Sequence, residues 1–315
     1  MTTYLIRRAG TSVVVLIGIS IFVFGLLHMV YPSPARVVLG TKASLLAINQ
    51  WNAQHGFSGS VVQQYWTYME NVLRGNFGYS FKLNQSVSSL FSERWMLSAY
   101  LSGVSLALSV IIAIPLGIYQ AVKRNSAGDS AVTTVTFTAY AMPDFLLYLI
   151  AIQLFVLSFK IFGAQASQSN NLLVVMGDWR DMTLPIVCMT LLILAGNSRY
   201  MRSSAIDTLA QDYIKAARAK GLPERLVLYR HLMRNACLPM ITLVGLSIPA
   251  LLSGNLIAEY VFNYQGLGLL FYNSLQNEDY PVLLAYTLLG AILTVLGNLV
   301  ADVAMCVADP RIRLR

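Results

Sequence analysis

The sequence predicts an all-α polytopic membrane protein with six transmembrane helices. Hydrophobic residues make up 56% of the 315-residue chain and charged residues only 11%, whereas a soluble domain carries about 25% charged residues. The apolar residues form runs of the length that a bilayer requires, about 20 residues per helix. The basic residues cluster at the ends of these runs, where they set orientation. This distribution argues against nucleic acid as a partner, despite a net charge of +8.

The predicted spans follow the apolar runs in order. The first run comes after Arg7 and Arg8 and is too long for the core of a typical signal peptide, so we interpret it as an uncleaved span. Pro143 lies in the middle of the third run and should kink that helix. The six runs cover residues 11–30, 96–122, 130–159, 183–198, 236–258 and 282–307.

Six spans place both termini on the same side of the membrane. The short loops on that side hold the larger share of the 22 Lys and Arg residues, which predicts that this side is cytoplasmic. We therefore expect three parts in the chain. They are an N-terminal anchor with the first span (1–30), a long outward segment (31–95), and a transmembrane core (96–315) whose cytoplasmic loop at 199–235 joins the fourth and fifth spans.

The outward segment contains one clear helical pattern. Apolar residues recur at helical spacing from Val61 to Leu73, which predicts an amphipathic helix. Such a helix either rests at the membrane surface or forms a packed cap on the helix bundle. The turn-rich sequence Gly75-Asn-Phe-Gly-Tyr-Ser ends it.

The basic stretch from Asp212 to Pro239 is hydrophilic, although it lies between two apolar runs. We expect a helix over 207–220 that Gly221 terminates, followed by a second helix that begins near Pro223. The predicted apolar faces are Leu209, Tyr213, Ala216 and Ala217 on the first helix, and Leu226, Tyr229, Leu232 and Met233 on the second. Two short helices of this kind can dock in a groove of a soluble partner. The alternative is a basic loop held by lipid head groups.

These residues carry a family resemblance. Ala216-Ala217, three residues, Gly221 and then Leu238-Pro239 resemble the cytoplasmic EAA loop of ABC importer permeases, in the form found in the dipeptide/oligopeptide/nickel branch. Four further motifs occur in the order of that branch. They are Gly75-Asn-Phe-Gly-Tyr-Ser, Glu259-Tyr-Val-Phe-Asn-Tyr-Gln-Gly-Leu-Gly, Asp279-Tyr-Pro and Asp309-Pro-Arg-Ile-Arg. The long outward segment is similar to that of the first, B-type, of the two paired permeases.

The resemblance implies a subunit of an ATP-driven, binding-protein-dependent importer in the bacterial cytoplasmic (inner) membrane. Its partners would be a second homologous permease, two ABC ATPases and an extracytoplasmic substrate-binding protein. The chain lacks a phosphate-binding loop of the Gly-x-x-x-x-Gly-Lys-Ser/Thr type. We therefore expect no bound cofactor and no catalysis here, with ATP and Mg in the ATPases. The implied ATPase-coupling residues are Asp212, Tyr213, Ala216, Ala217, Arg218 and Gly221. Di- or oligopeptides are the expected substrates, and nickel or glutathione are the alternatives.

Two carboxylates are candidates for the transport pathway or a gate. Asp144 is predicted inside the third span, where a charge usually faces a cavity or a partner. Its alternative role is to bond the backbone that Pro143 leaves free. Glu259 is predicted at the outer mouth of the fifth span, either in an outer gate or as a surface charge or the partner of an ion pair.

Two other functional classes remain as alternatives at this stage. A membrane-embedded enzyme needs converging titratable groups, and the three His and three Cys residues are scattered along the sequence. A stand-alone channel or ion-coupled carrier fits six spans, but it leaves the basic stretch without a role. A channel or carrier would transport its substrate without nucleotide.

Overall fold

The computed structural model of the chain describes residues 2–30, 35–40 and 42–308. Among these residues, five helical stretches are long and apolar enough to cross a membrane, and a bent pair of helices makes a sixth if it counts as one span. The all-α polytopic prediction is confirmed. The Asp309-Pro-Arg-Ile-Arg motif lies outside the described residues. The longest helices are α1 (Thr2–Val30), α5 (Val87–Val122), α9 (Trp179–Leu209), α13 (Leu238–Ser253) and α16 (Tyr280–Ala308).

Two of these helices extend well beyond the predicted spans. Helix α5 has 36 residues and begins at Val87, so its first turns belong to what the sequence suggested was the outward segment. At 1.5 Å per residue it is about 54 Å long, while the hydrocarbon core of a bilayer is about 30 Å thick. Helix α9 runs on past the predicted end of the fourth span into the predicted cytoplasmic loop at 199–235 and ends at Leu209.

The third span is broken rather than kinked. Helix α6 (Ala127–Ala141) and helix α7 (Asp144–Ala151), which continues as a π-helical segment (Ile152–Ser158), meet at 107°. Met142 has an extended backbone (φ −80, ψ 136) because the ring of the following proline disfavours the helical conformation. The expectation of one continuous kinked helix is therefore wrong.

The outward segment forms a small cap on the bundle. It contains α2 (Ala35–Leu39), α3 (Leu45–His55), α4 (Val61–Leu73) and a two-stranded antiparallel ribbon of β1 (Tyr79–Ser80) and β2 (Gln85–Ser86). The predicted amphipathic helix is α4. Its Tyr65 and Tyr68 pack on Phe24 of α1, and the Tyr65 hydroxyl bonds Ser20 Oγ at 2.8 Å. These contacts support the packed-cap interpretation.

The bundle is held together by close helix contacts at small residues. Gly117 of α5 lies against Met201 of α9, and Gly245 of α13 lies against Ala301 of α16. Small residues let membrane helices approach closely. The remaining helices are short, namely α8 (Leu172–Gly177), α10 (Asp212–Ala219), α11 (Glu224–Leu226), α12 (Met233–Ala236), α14 (Leu256–Val261) and α15 (Leu267–Gln276).

Below, the end of the bundle that carries residues 123–126 and 199–235 is called the basic end. The opposite end, which carries the cap, is called the cap end.

Candidate functional site

The basic stretch forms two short helical parts around a glycine. Helix α9 ends at Leu209, and α10 starts at Asp212 after Gln211 adopts an extended backbone (φ −69, ψ 146). The predicted single helix over 207–220 is therefore wrong. Near the break, the Thr208 hydroxyl donates to the Ser204 carbonyl at 2.7 Å. Such side-chain bonds to the preceding turn weaken helix continuation.

Helix α10 is seated on the rest of the chain by two side chains. Ile214 is 0% exposed and Ala217 is 5% exposed. Both belong to a buried cluster that includes Met201 of α9 and Leu232. The sequence pattern missed Ile214, because a single apolar residue between Tyr213 and Lys215 does not stand out as part of a face.

The opposite side of α10 is exposed. Asp212, Tyr213 and Ala216 are exposed on this side. The predicted apolar face is therefore divided, because Tyr213 and Ala216 lie on the exposed side and Ala217 lies on the buried side. The Tyr213 hydroxyl accepts a hydrogen bond from Asn235 Nδ2 at 3.0 Å. This orients a tyrosine beside a small alanine on an open helical surface.

Gly221 ends α10 as predicted. Its φ of +74 lies in the left-handed region that glycine adopts without a steric penalty. Apart from the two adjacent residues, no atom of the described chain lies within 4 Å of the place where a Cβ would stand. The backbone conformation is therefore the requirement at this position, rather than a lack of space.

Arg218 spans the glycine turn. Its guanidinium donates to Glu224 at 2.6 Å from Nη2 and at 3.1 Å from Nε. This bond lowers the pKa of Glu224 and raises that of Arg218. Arg218 was predicted as a coupling residue, and in this structure it links α10 to α11.

The second helical part departs from the predicted pattern. Residues Val227–Leu232 form a π-helical segment between α11 and α12. Val227 and Leu232 are buried, whereas Tyr229 is 73% exposed. The predicted face of Leu226, Tyr229, Leu232 and Met233 is wrong, because a π-turn holds more residues than an α-turn and shifts the phase.

Glu259 lies at the cap end and is 0% exposed. Its Oε1 accepts from Ser98 Oγ at 2.7 Å and from the Asn255 N–H at 3.3 Å. Its Oε2 accepts from the N–H groups of Gly268 at 2.7 Å and Leu269 at 3.1 Å. The carboxylate therefore joins α5 and α14 to the first turn of α15.

Two glycines make room for this carboxylate. A Cβ on Gly254 would lie 2.4 Å from Glu259 Oε1, and one on Gly266 would lie 2.3 Å from Oε2. The surface-charge alternative for Glu259 is wrong, because the side chain is fully buried, and the segment between the fifth and sixth predicted spans contains α15. Its role in a gate stays a prediction.

Comparisons with known proteins identify the chain. The family described as "Binding-protein-dependent transport system inner membrane component" matches residues 113–314, and its N-terminal companion domain matches residues 1–107. The oligopeptide transport system permease protein AppB of Bacillus subtilis (strain 168) is 35% identical over 99% of both chains. The glutathione transport system permease protein GsiC of Escherichia coli (strain K12) is 32% identical over the full length of both. This chain belongs to that permease family. It is a multi-pass inner-membrane subunit of a binding-protein-dependent importer.

Asp144 of the permease lies at the break in the third span. It is exposed in the first turn of α7. Its side chain forms no hydrogen bond or ion pair with the described part of the chain, so the alternative role of bonding backbone near Pro143 is not observed. Its assignment to the pathway stays a prediction.

A second ionic contact of the permease was not predicted. Asp129 is 3% exposed. Arg202 forms a bidentate ion pair with it, donating from Nε at 2.9 Å and from Nη2 at 2.8 Å. Gln120 Nε2 and the Asn125 N–H also donate to this carboxylate, at 3.3 and 3.0 Å. The pair fixes the loop at 123–126 to α9 shortly before the basic stretch begins. The sequence signal that could have indicated this contact is the position of Asp129, an acidic residue in the first turn of α6 directly after a basic loop.

The permease shows no group of three or more His, Cys, Asp or Glu side chains that could hold a metal ion, as far as the described residues extend. Cys188 and Cys237 are both free.

Proposed function

We propose that this permease forms one half of the translocation pathway of an ATP-driven importer of short peptides. The relatives named above are permeases for oligopeptides and for glutathione. Glutathione is itself a tripeptide, so a peptide backbone is common to both named cargoes. Glutathione and nickel complexes are the alternative cargoes. The ligand held by the co-purifying binding protein would distinguish among them.

The proposed complex contains a second homologous permease, two ABC ATPases and an extracytoplasmic binding protein, all within or beside the lipid bilayer. The permease would bind no cofactor, and ATP and Mg would act in the ATPases. We place the basic end in the cytoplasm, together with both termini, because short loops rich in Lys and Arg are retained on that side.

The observation that carries the coupling proposal is the two-sided character of α10. One side, with Ile214 and Ala217, is buried against α9 and the π-helical segment. The other side, with Tyr213 and Ala216, is open. A protein that binds the open side can displace α9, because the buried side has no space in which to move separately. This is the property that a mechanical link to an ATPase requires.

Ala216→Arg tests the proposal. Ala216 is exposed, and arginine is a good helix former, so the permease should still fold. The bulky charge should weaken docking of the ATPase. We expect ATP-driven peptide uptake in proteoliposomes, reconstituted with the partner subunits, to fall by about tenfold or more, since an unpaired interfacial charge commonly costs over 1.4 kcal/mol.

Asn273→Arg is the matched control, because Asn273 is exposed on α15 near the cap end. It introduces the same side chain far from α10 and should leave uptake unchanged. Normal uptake by the Ala216→Arg permease would rule out docking at this face. Uptake by the permease alone, without nucleotide, would instead support a channel or carrier.

A further inference from the structure

An apolar groove lies at the basic end between α5 and the segment that leads from α10 to α13. Its volume is about 670 Å³. One wall is formed by the last turns of α5, which belong to a candidate membrane span. The other wall comes from the π-helical segment and the start of α12. The apolar lining residues are Ile114, Pro115, Ile118, Val122, Leu228 and Met233.

Two cations also line this groove. Lys123 and Arg225 are both exposed, and the side chain of neither forms an ion pair or hydrogen bond with the described part of the chain. Arg202 and Arg218, in contrast, are paired with Asp129 and Glu224. The groove therefore presents two uncompensated positive charges beside a strongly apolar wall.

Two tyrosines complete the site. Tyr119 and Tyr229 line the groove and are 46% and 73% exposed. Exposed tyrosines are enriched where a membrane meets water, because the ring is apolar and the hydroxyl is polar. Along the groove, the apolar part of the span is followed by the aromatic rings and then by the cations. This order matches the acyl chains, the interfacial region and the head group of a phospholipid.

We propose that this groove binds an anionic phospholipid. An acyl chain lies along Ile114 and Ile118, and the phosphate lies between Lys123 and Arg225. Basic pockets at the cytoplasmic edge of membrane helices favour anionic head groups. An acidic protein surface would satisfy the cations, but it would leave the apolar wall within the span facing a hydrated partner.

The bound lipid would also stabilise the coupling segment. Leu228 lines the groove, while Val227 and Leu232 of the same π-helical segment pack in the cluster that holds Ile214. A lipid in the groove therefore supports this segment on the side away from α10. Through this support, the bound lipid would affect how efficiently ATP hydrolysis is coupled to uptake.

The test compares lipid retention by two doubly substituted permeases, each purified with its partner subunits. Lys123→Gln with Arg225→Gln removes the cations of the groove. Lys220→Gln with Arg230→Gln removes the same charge from exposed residues of the basic stretch that do not line the groove. Native mass spectrometry with added phosphatidylglycerol or phosphatidylcholine measures the affinity for each lipid.

We expect the unsubstituted complex to prefer phosphatidylglycerol. Each cation of the groove should contribute about fivefold to this preference, so the Lys123/Arg225 double variant should lose about 25-fold and the control should lose little. Equal losses in both variants would show that only general surface charge matters, and this result would overturn the proposal. Loss of the ATPase subunits with unchanged lipid binding would assign the groove to a protein partner and would also overturn it.

Discussion

Replacing Glu259 by glutamine tests whether this carboxylate holds the cap end together. Glutamine keeps the volume but has one carbonyl oxygen where the carboxylate has two. The carboxylate accepts four hydrogen bonds, three of them from backbone N–H groups. If the glutamine oxygen faces Gly268 and Leu269, its NH₂ group faces the N–H of Asn255, which then has no acceptor. In the reversed orientation, two backbone N–H groups lose their acceptor.

The magnitude follows from this count. One buried backbone donor without a partner costs about 1–3 kcal/mol, and the charge-assisted bonds that remain become weaker. We therefore expect Glu259→Gln to destabilise the permease by about 2–4 kcal/mol. At about 2–4 °C per kcal/mol, the scale for chains of about 150–250 residues, the apparent Tm in detergent should fall by about 4–16 °C.

Glu70→Gln is the matched control. Glu70 forms an exposed i,i+4 ion pair with Arg74 at 2.6 Å, and such pairs contribute about 0.5 kcal/mol or less. Its Tm should stay within about 2 °C of the wild type. An unchanged Tm for Glu259→Gln would refute the structural reasoning. If uptake were nevertheless lost, the gate hypothesis would be the better explanation.

Three further predictions follow from contacts at the basic end. Gly117→Ala should lower the free energy of unfolding by about 1–3 kcal/mol. The added Cβ would lie 2.7 Å from the Met201 side chain and 2.8 Å from the backbone nitrogen of Arg202. A Cβ at Gly103, in the same helix, would meet no atom within 4 Å, so Gly103→Ala should raise the free energy of unfolding by about 0.5–1 kcal/mol. Equal Tm shifts for the two variants would contradict the close packing of Gly117 on Met201. Asp129→Asn should cost about 1–3 kcal/mol and increase proteolysis within the loop at 123–126, with no change in cleavage counting against it. Because Arg218 lowers the pKa of Glu224, the pair stabilises the fold above the ordinary glutamate pKa of about 4.3 and loses this effect as the pH falls through the lower, folded-state pKa. The small Tm difference between wild type and Glu224→Gln at pH 7 should therefore disappear in acid, and a difference that grew in acid would oppose this sign.

Features encoded by neighbouring residues could be predicted from the sequence. Gly221 ends α10 as expected, because a glycine after a helical pattern is a local signal. The spacing of Tyr65 and Tyr68 predicted α4 correctly. Pro143 correctly marked a discontinuity, but a proline alone does not determine whether a helix bends slightly or breaks at 107°.

Features that depend on distant residues could not be predicted. Ser98 and Glu259 are separated by 161 positions, and Arg202 and Asp129 by 73. A single sequence gives no sign that such residues meet. The sequence therefore left Glu259 open between an outer gate, a surface charge and an ion pair, although Gly254 and Gly266 nearby are the residues that leave room for its carboxylate. The phase of the second coupling helix was also missed, since a π-helical turn has no pattern of its own in the sequence.

Contacts between helices join the basic end of the permease to its cap end. Helix α9 contacts α5 directly where Met201 packs on Gly117. Arg202 of α9 also binds Asp129, which holds the loop that follows α5. The cap end of α5 is in turn joined to α14 and α15 through Ser98 and Glu259. We therefore predict that a displacement of α10 that enters α9 at Met201 reaches the cap end through α5. If Gly117→Ala and Asp129→Asn reduced stability but left the ratio of peptide uptake to ATP hydrolysis unchanged, this route would not be the one that transmits coupling.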